Sequence, residues 1–293
     1  MDTVHLSYFR TIARIQHMTK AAEELQISQP ALSKIISRLE EDMGTPLFDR
    51  QGRNIRLNMF GKAYLRKVEM ALNALEDGKK EVQELSGLHS GSVHLAVTSV
   101  ELLSRPLADF LSQYPKTDFR ITQVSMMELE PLLLSGEVDI CLTALPAQNT
   151  GICSSPVLEE QVFLAVPPSH RYGERESISL AEAATEAFIG YNEGQFYQPL
   201  NDLYFGEVGI YPNYICRVNE PTAIASLVRA GVGVALVGEC GRSANSPLPL
   251  LKIHDHSTKR HYKFIWLESR YLSVAARKFM DYITEFFQNS SHH

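Results

Sequence analysis

Little in this chain marks a secreted, membrane-bound or metal-dependent protein. Only four cysteines occur in 293 residues (Cys141, Cys153, Cys216 and Cys240), and no two form a CxxC pair. That usage excludes a disulfide scaffold and fits reduced thiols. No run of about 18 apolar residues exists, so no segment reads as a membrane span. The opening MDTVHLSYFRTIARIQ lacks a basic stretch followed by an apolar block, so no secretion signal and a cytoplasmic location are expected. Enzyme signatures are missing too: there is no GxSxG, HExxH or P-loop. "GVGVAL" (231–236) follows a helical stretch and lacks a third glycine, so it is no dinucleotide fingerprint. "HDH" (254–256) with His261 could set two imidazoles on one strand face, but exposed polar strand residues explain it better; no metal and no cofactor are expected. The terminal His292-His293 resembles a truncated tag. Cys141 and Cys240 fall in or beside apolar strand sequence and read as inert, leaving Cys153 and Cys216 as the thiols open to a redox role.

What is present starts with a charge asymmetry. Residues 1–67 hold 11 Lys and Arg against 7 Asp and Glu, while the rest of the chain holds 17 against 27. A basic head on an acidic body predicts that only the head meets a polyanion. Within the head, Leu6, Phe9, Ile12, Ala13 and Ile15 recur at helical steps, and a second short helix starts at Thr19 with Ala21, Ala22 and Leu25 inward. "QIS" (26–28) is a tight break. The third helix is predicted from Gln29 to about Met43: Ser28 supplies the N-cap, Pro30 sits where its missing N–H costs nothing, and Gly44 ends it. Leu32, Ile35, Ile36, Leu39 and Met43 line one side, which leaves Gln29, Ser33, Lys34, Ser37 and Arg38 on the other. Two short helices, a turn and a helix with a polar first turn fit a helix-turn-helix, whose second element enters the major groove. Gln suits bidentate pairing with adenine and Ser pairs with several bases. "TPLFDRQGRNIRLNMFG" (45–61) then reads as a loop and a hairpin, a wing with Arg50, Arg53 and Arg56 at three-residue steps.

The series Ala21-Ala22, Leu25, Ser28-Gln29-Pro30-Ala31, Ser33, Ile36, Leu39-Glu40, Gly44, Leu47-Phe48, Arg50, Leu57 and Gly61 resembles the LysR-type transcriptional regulators. Asn58 departs from the usual Thr and Phe60 from the usual Ala; both open the next helix, so they bear on capping or packing. The resemblance implies that Gln29, Pro30, Ser33 and Lys34 face bases or adjacent phosphates, with Arg38 on the same DNA-facing side. Thr19 and Ser28 would hold the backbone, and Arg50 and Arg53 would serve the wing.

From Gly61 to about Leu88, Leu65, Val68, Leu72, Leu75 and Val82 fall on alternating three- and four-residue steps, a coiled-coil-like seam interrupted by Lys79. In the family such a helix pairs two heads, which implies a pseudo-palindromic site. "SGLHSG" (86–91) reads as a hinge. Beyond it, short apolar strands alternate with helices, the pattern of an α/β domain with a mainly parallel sheet. "LLLSGEVDICLTA" and "IASLVRAGVGVALVG" resemble the effector-binding half of the same family, although Gly238 stands where a proline is usual. The expected fold is therefore an α+β multidomain chain. Its parts are a winged helix-turn-helix (1–60), a dimerisation linker helix (61–88) and a periplasmic-binding-protein-like effector domain (91–293). The last splits into subdomain I (91–163 and 267–293) and subdomain II (164–266), the chain crossing near 160–165 and 262–268.

Ligands of open α/β sheets sit at the carboxyl ends of strands, facing helix N-termini. Those ends supply Thr98, Ser99 and Val100, Ser125, Thr143, Tyr191 and Asn192, and Asn219 and Glu220. The hydroxyls suit a small anion; Glu101, Glu128, Glu193 and Glu220 near the rim suit an amine or zwitterion equally. The resemblance adds promoter DNA, a small carboxylate or amino acid-like effector, a homo-oligomer built as a dimer of dimers (a homotetramer), and RNA polymerase as partners. Activator or repressor action stays open. A ligand-binding protein without DNA work fails to explain residues 18–61.

Overall fold

The computed structural model describes residues 2–51, 54–86, 91–195, 197–238 and 248–290. The chain divides into two units, Met1–His89 and Ser90–His293.

In the first unit, α1 (Thr3–Ile15) starts on Asp2, whose carboxylate accepts the Val4 N–H at 3.3 Å. It ends at Gln16 in the left-handed region (φ +52°). α2 spans Met18–Glu24 and α3 Gln29–Met43, with Gly44 (φ +69°) closing the latter. β1 (Phe48–Gln51) and β2 (Asn54–Leu57) form an antiparallel hairpin, and α4 runs from Met59 to Leu85. Phe9, Ile12, Leu32, Ile36, Leu39, Leu47 and Ile55 are buried together. The Phe9 ring packs edge-on against Phe48 at 5.4 Å and Tyr64 at 5.3 Å. Glu40 ties α3 to the hairpin by accepting the N–H groups of Leu47 at 2.8 Å and Phe48 at 3.2 Å. Asn58 is the N-cap of α4: its Oδ1 accepts from Gly61 N–H at 2.9 Å and its Nδ2 donates to Pro46 O at 2.8 Å. The departure from Thr is thus a capping exchange. A side chain at Gly61 would overlap the Leu47 carbonyl oxygen, so glycine there lets α4 leave close against the strand.

Part of the linker seam packs on its own unit. Val68 is buried in the core of its own unit, and Leu65 and Leu72 are partly buried against the same core. Leu75 and Val82 stand 58% and 65% exposed. A three-four spacing marks an apolar stripe without saying what covers it, and the first half of this stripe is covered by the head.

The second unit opens with β3 (Ser92–Val97), a short 3-10 turn (Glu101–Leu103) and α5 (Ser104–Gln113). β4 (Asp118–Gln123), α6 (Met126–Ser135), β5 (Ile140–Thr143) and the long β6 (Ile152–Ala165) follow. Then come β7 (Ser177–Ile178), β8 (Ala187–Tyr191), α7 (Gln198–Glu207), β9 (Asn213–Val218) and α8 (Pro221–Arg229). β10 (Ala235–Gly238), β11 (Leu250–Ile253), β12 (Lys259–Leu267) and α9 (Val274–Ser290) complete it. The main sheet runs β4-β3-β5-β12-β6-β11-β7, with β10 also on β6, while β8 and β9 pair separately. β4, β3 and β5 are mutually parallel, but β12 is antiparallel to β5 and β6, and β6 to β10 and β11. The sheet is therefore mixed rather than mainly parallel, because two long strands shuttle the chain between its halves.

Those strands set the crossings. β6 pairs with β12 through Gln161, with β10 from Val162 and with β11 from Phe163. The partner change falls between Gln161 and Val162. β12 breaks register on β6 between Tyr262 and Lys263, and from Lys263 to Ile265 it also pairs with β5. Residues 152–161 are strand although "CSSPVLEEQ" has no alternation; ladder bonds to β12 override weak local preference.

Candidate nucleic-acid interface and effector cleft

The opening turn of α3 is built as a groove-fitting surface would be. Ser28 holds extended backbone (φ −71°, ψ 143°), and its hydroxyl accepts the Ala31 N–H at 3.3 Å. Gln26 in the left-handed region (φ +55°) makes the tight turn that precedes it. Gln29, Pro30, Ala31, Lys34 and Arg38 are exposed and Ser33 is half-buried, whereas Leu32, Ile36 and Leu39 on the opposite side are buried. Thr19 and Ser28 are exposed at the openings of α2 and α3. Arg38 lines a small depression with Asp2, His5 and Asp42. Arg50 stands in β1; its side chain and the whole of Arg53 lie outside the described residues. Arg56 on β2 is exposed.

In the second unit a cavity of about 630 Å³ opens between the first turn after β3, the end of β8, α8 and the crossing strands. Of the expected ligand residues, Ser99, Val100 and Tyr191 line it. Thr98 stands behind them, with its hydroxyl bonded to that of Tyr197. The others lie outside its lining. Ser125 donates to Glu128 at 2.6 Å in the capping box of α6. Thr143 accepts from Leu145 N–H at 3.1 Å and lines a different depression beside α6. Asn192 donates to Asn219, and both are exposed. Glu220 is the exposed N-cap residue of α8 with no side-chain bond to the helix. Position at a strand end was the only signal for these five, and a strand end is also where helices must be capped.

The floor of the cavity is a group that sequence reasoning missed. Glu160 on β6 and Arg260 on β12 are cross-strand partners. Their side chains are 4% and 2% exposed, with Arg260 Nη1 3.4 Å from Glu160 Oε2. Tyr262 donates its hydroxyl to the same carboxylate oxygen at 3.3 Å, and the Arg260 guanidinium lies 3.9 Å from the centre of the Tyr197 ring. Burial opposes the Arg260 cation, but the fields of Tyr262 and Glu160 outweigh it and its pKa is raised. Burial raises Tyr191, Tyr197 and Tyr262 as well, so all three hydroxyls keep their protons near neutrality. Gly238 is explained at the same place: any Cβ there would collide with the Glu160 carboxylate. Two sequence signals could have found it: glycine in place of the usual proline at 238, and charged residues at inward positions of two strands.

Cys141 is buried and its thiol is pushed up to about 12 by burial, then by Glu130, which makes it inert. Cys153 and Cys216 are half-buried, and Cys240 lies outside the described residues. Among the described residues no group of three His, Cys, Asp or Glu could hold a metal; His256 faces Glu207 and His261 faces Glu159. No helix of the described residues is long and apolar enough to cross a membrane.

Comparison with known proteins covers both units. The profile "Bacterial regulatory helix-turn-helix protein, lysR family" matches residues 3–62, and "LysR substrate binding domain" matches 86–288. The HTH-type transcriptional regulator YybE of Bacillus subtilis is 35% identical over 290 residues, covering 98% of this chain and 99% of its own. The transcriptional dual regulator GltC of the same organism is 28% identical, covering 98% of each chain. A crystal structure of full-length CbnR with its target DNA matches with a TM-score of 0.66 at 22% identity, covering 99% of this chain and 100% of that one.

Proposed function

This chain belongs to the LysR family of transcriptional regulators, sequence-specific DNA-binding proteins rather than enzymes, with a C-terminal domain for a small-molecule effector; from that premise we propose how its residues divide the work. Gln29, Pro30, Ser33 and Lys34 meet base edges or adjacent phosphates in the major groove. Thr19, Ser28 and Arg38 grip the backbone, and Arg50 and Arg53 serve the wing. The observation that carries this reading is the exposed, polar first turn of α3 on its Ser28 cap, backed by the buried Leu32, Ile36 and Leu39. Residues 1–60 act as the reading head, 61–88 as the linker and 91–293 as the effector domain.

Pairing runs along the second half of α4, where exposed Leu75 and Val82 support a contact between copies. Two such pairs form the homotetramer. The protein works in the cytoplasm, and effector binding repositions the heads on the promoter or alters contacts with RNA polymerase. The effector achieves this only by its differential affinity for two arrangements of the assembly.

Footprinting on the region upstream of its own gene, at several salt concentrations and against random DNA of equal length, tests the reading. A protected two-fold related site with a steep salt slope is expected. Binding no better than to random DNA, with and without small molecules from a cell extract, overturns it.

A further inference from the structure

We propose that the cleft selects a monocarboxylate, and that the buried Arg260–Glu160 pair sets how many charges the ligand carries. The proposal rests on the reading of this cavity as the effector site. Two arginines line it, and each has a buried Nε–H with no hydrogen-bond partner among the described residues: Arg260 in the floor and Arg229 at the end of α8. A guanidinium has five N–H donors and no acceptor. Arg260 uses one terminal nitrogen on Glu160 and the other on Asn201 Oδ1, both at the long distance of 3.4 Å, while its face lies on Tyr197. Of the three donors that remain, the buried Nε–H has no partner among the described residues. Unmet donors call for an acceptor, and the protonated hydroxyls of Tyr191, Tyr197 and Tyr262 line the same space.

Glu160 decides which anion. It already balances Arg260 in the interior, and Arg229 shares the same lining with Glu101, so one incoming carboxylate adds a single negative charge, met by the unpartnered N–H groups of the two arginines. A dicarboxylate or a phosphate dianion brings a second negative charge toward Glu160 in a poorly screened interior, with Glu101 also on the wall. Gly238 is the enabling residue, since a side chain there would expel the Glu160 carboxylate. Val100, Leu102, Ala225 and Val237 supply apolar wall, so the body of the ligand is small and mainly hydrocarbon.

Titration calorimetry of the full chain at pH 7 tests this with acetate to hexanoate and benzoate as probes, against succinate, inorganic phosphate and the matching primary amines. At least one monocarboxylate is expected to bind about tenfold more tightly than any dianion or amine. Glu160→Gln, checked for folding by thermal melting, should narrow that gap by tightening the dianions. Arg260→Lys should weaken the monocarboxylate by about tenfold or more. Equal or tighter binding of a dianion or an amine overturns the proposal, as does no binding by any monocarboxylate. So does a Glu160→Gln variant that weakens every anion alike. Should either variant unfold, the panel on the native chain decides alone. The regulator reading is judged separately: a footprint that responds to an amine or a dianion leaves it standing while removing the monocarboxylate.

Discussion

In the head, Gln29, Pro30, Lys34 and Arg38 stand in solvent on one side of a single helix, and Leu32, Ile36 and Leu39 anchor the other. In the body, Arg260 and Glu160 stand in the interior, supplied by two strands 100 residues apart in sequence. The head offers a polyanion a surface whose groups remain hydrated until contact. The cleft holds charges already stripped of water, each neutralised by the other. Desolvation is therefore deferred to the moment of binding in the first case and met during folding in the second. Changes in the head should alter recognition with little effect on stability, whereas changes in the cleft floor should alter both.

The largest expected effect follows from removing one partner of the buried pair. Glu160→Ala leaves Arg260 as an uncompensated buried cation and should destabilise the body by about 3–5 kcal/mol. Chemical denaturation followed by Trp266, which lies in the body, reads this; a loss below about 1 kcal/mol would erase the contrast between the regions. Gly61→Ala should cost about 1–3 kcal/mol, because the new methyl meets the backbone carbonyl of Leu47 as well as the Leu57 side chain, and the carbonyl cannot move aside. That loss belongs to the head, so DNA binding at raised temperature should fall while the Trp266 transition holds. Gln29→Ala should weaken the specific site by about 1–3 kcal/mol and relax base choice. Unchanged thermal melting with equal loss on specific and random DNA would remove its assignment to a base. The smallest effect is a pH dependence at the cap of α6. Bonds from the Ser125 hydroxyl and then the Ser125 N–H hold Glu128 below its ordinary range. That contribution is fully present above the unfolded carboxylate value and is lost as pH falls through the folded one. On this exposed carboxylate it should amount to less than about 1 kcal/mol. Comparing acid titrations of the native chain and Glu128→Gln between pH 6 and 3 checks the sign.

How much was legible depended on how locally each feature is determined. α3 was expected from Gln29 to about Met43 and is found from Gln29 to Met43, because Ser28, Pro30 and Gly44 are local signals at its ends. The linker seam was legible as an apolar stripe, but Leu65, Val68 and Leu72 turned out to face the head, since spacing carries no record of the partner. Residues 152–161 were missed as strand because β12 supplies their hydrogen bonds. In the cleft, Ser99, Val100 and Tyr191 were found by their place at strand ends, and Arg260, Glu160, Tyr197, Tyr262 and Arg229 were not.

The sequence by itself determined the elements that close within a few residues: capped helices, the hairpin, the alternation of strands and helices, and the pattern of the reading turn. Only the tertiary structure decided which half of α4 is buried, where β6 changes its strand partner, and which charges meet beneath the cleft. Capping and helical periodicity act between neighbours in the chain and leave a mark at fixed spacing. A buried ion pair across two strands is set by the register of β6 on β12 and by a glycine on β10. No short stretch of sequence contains all three.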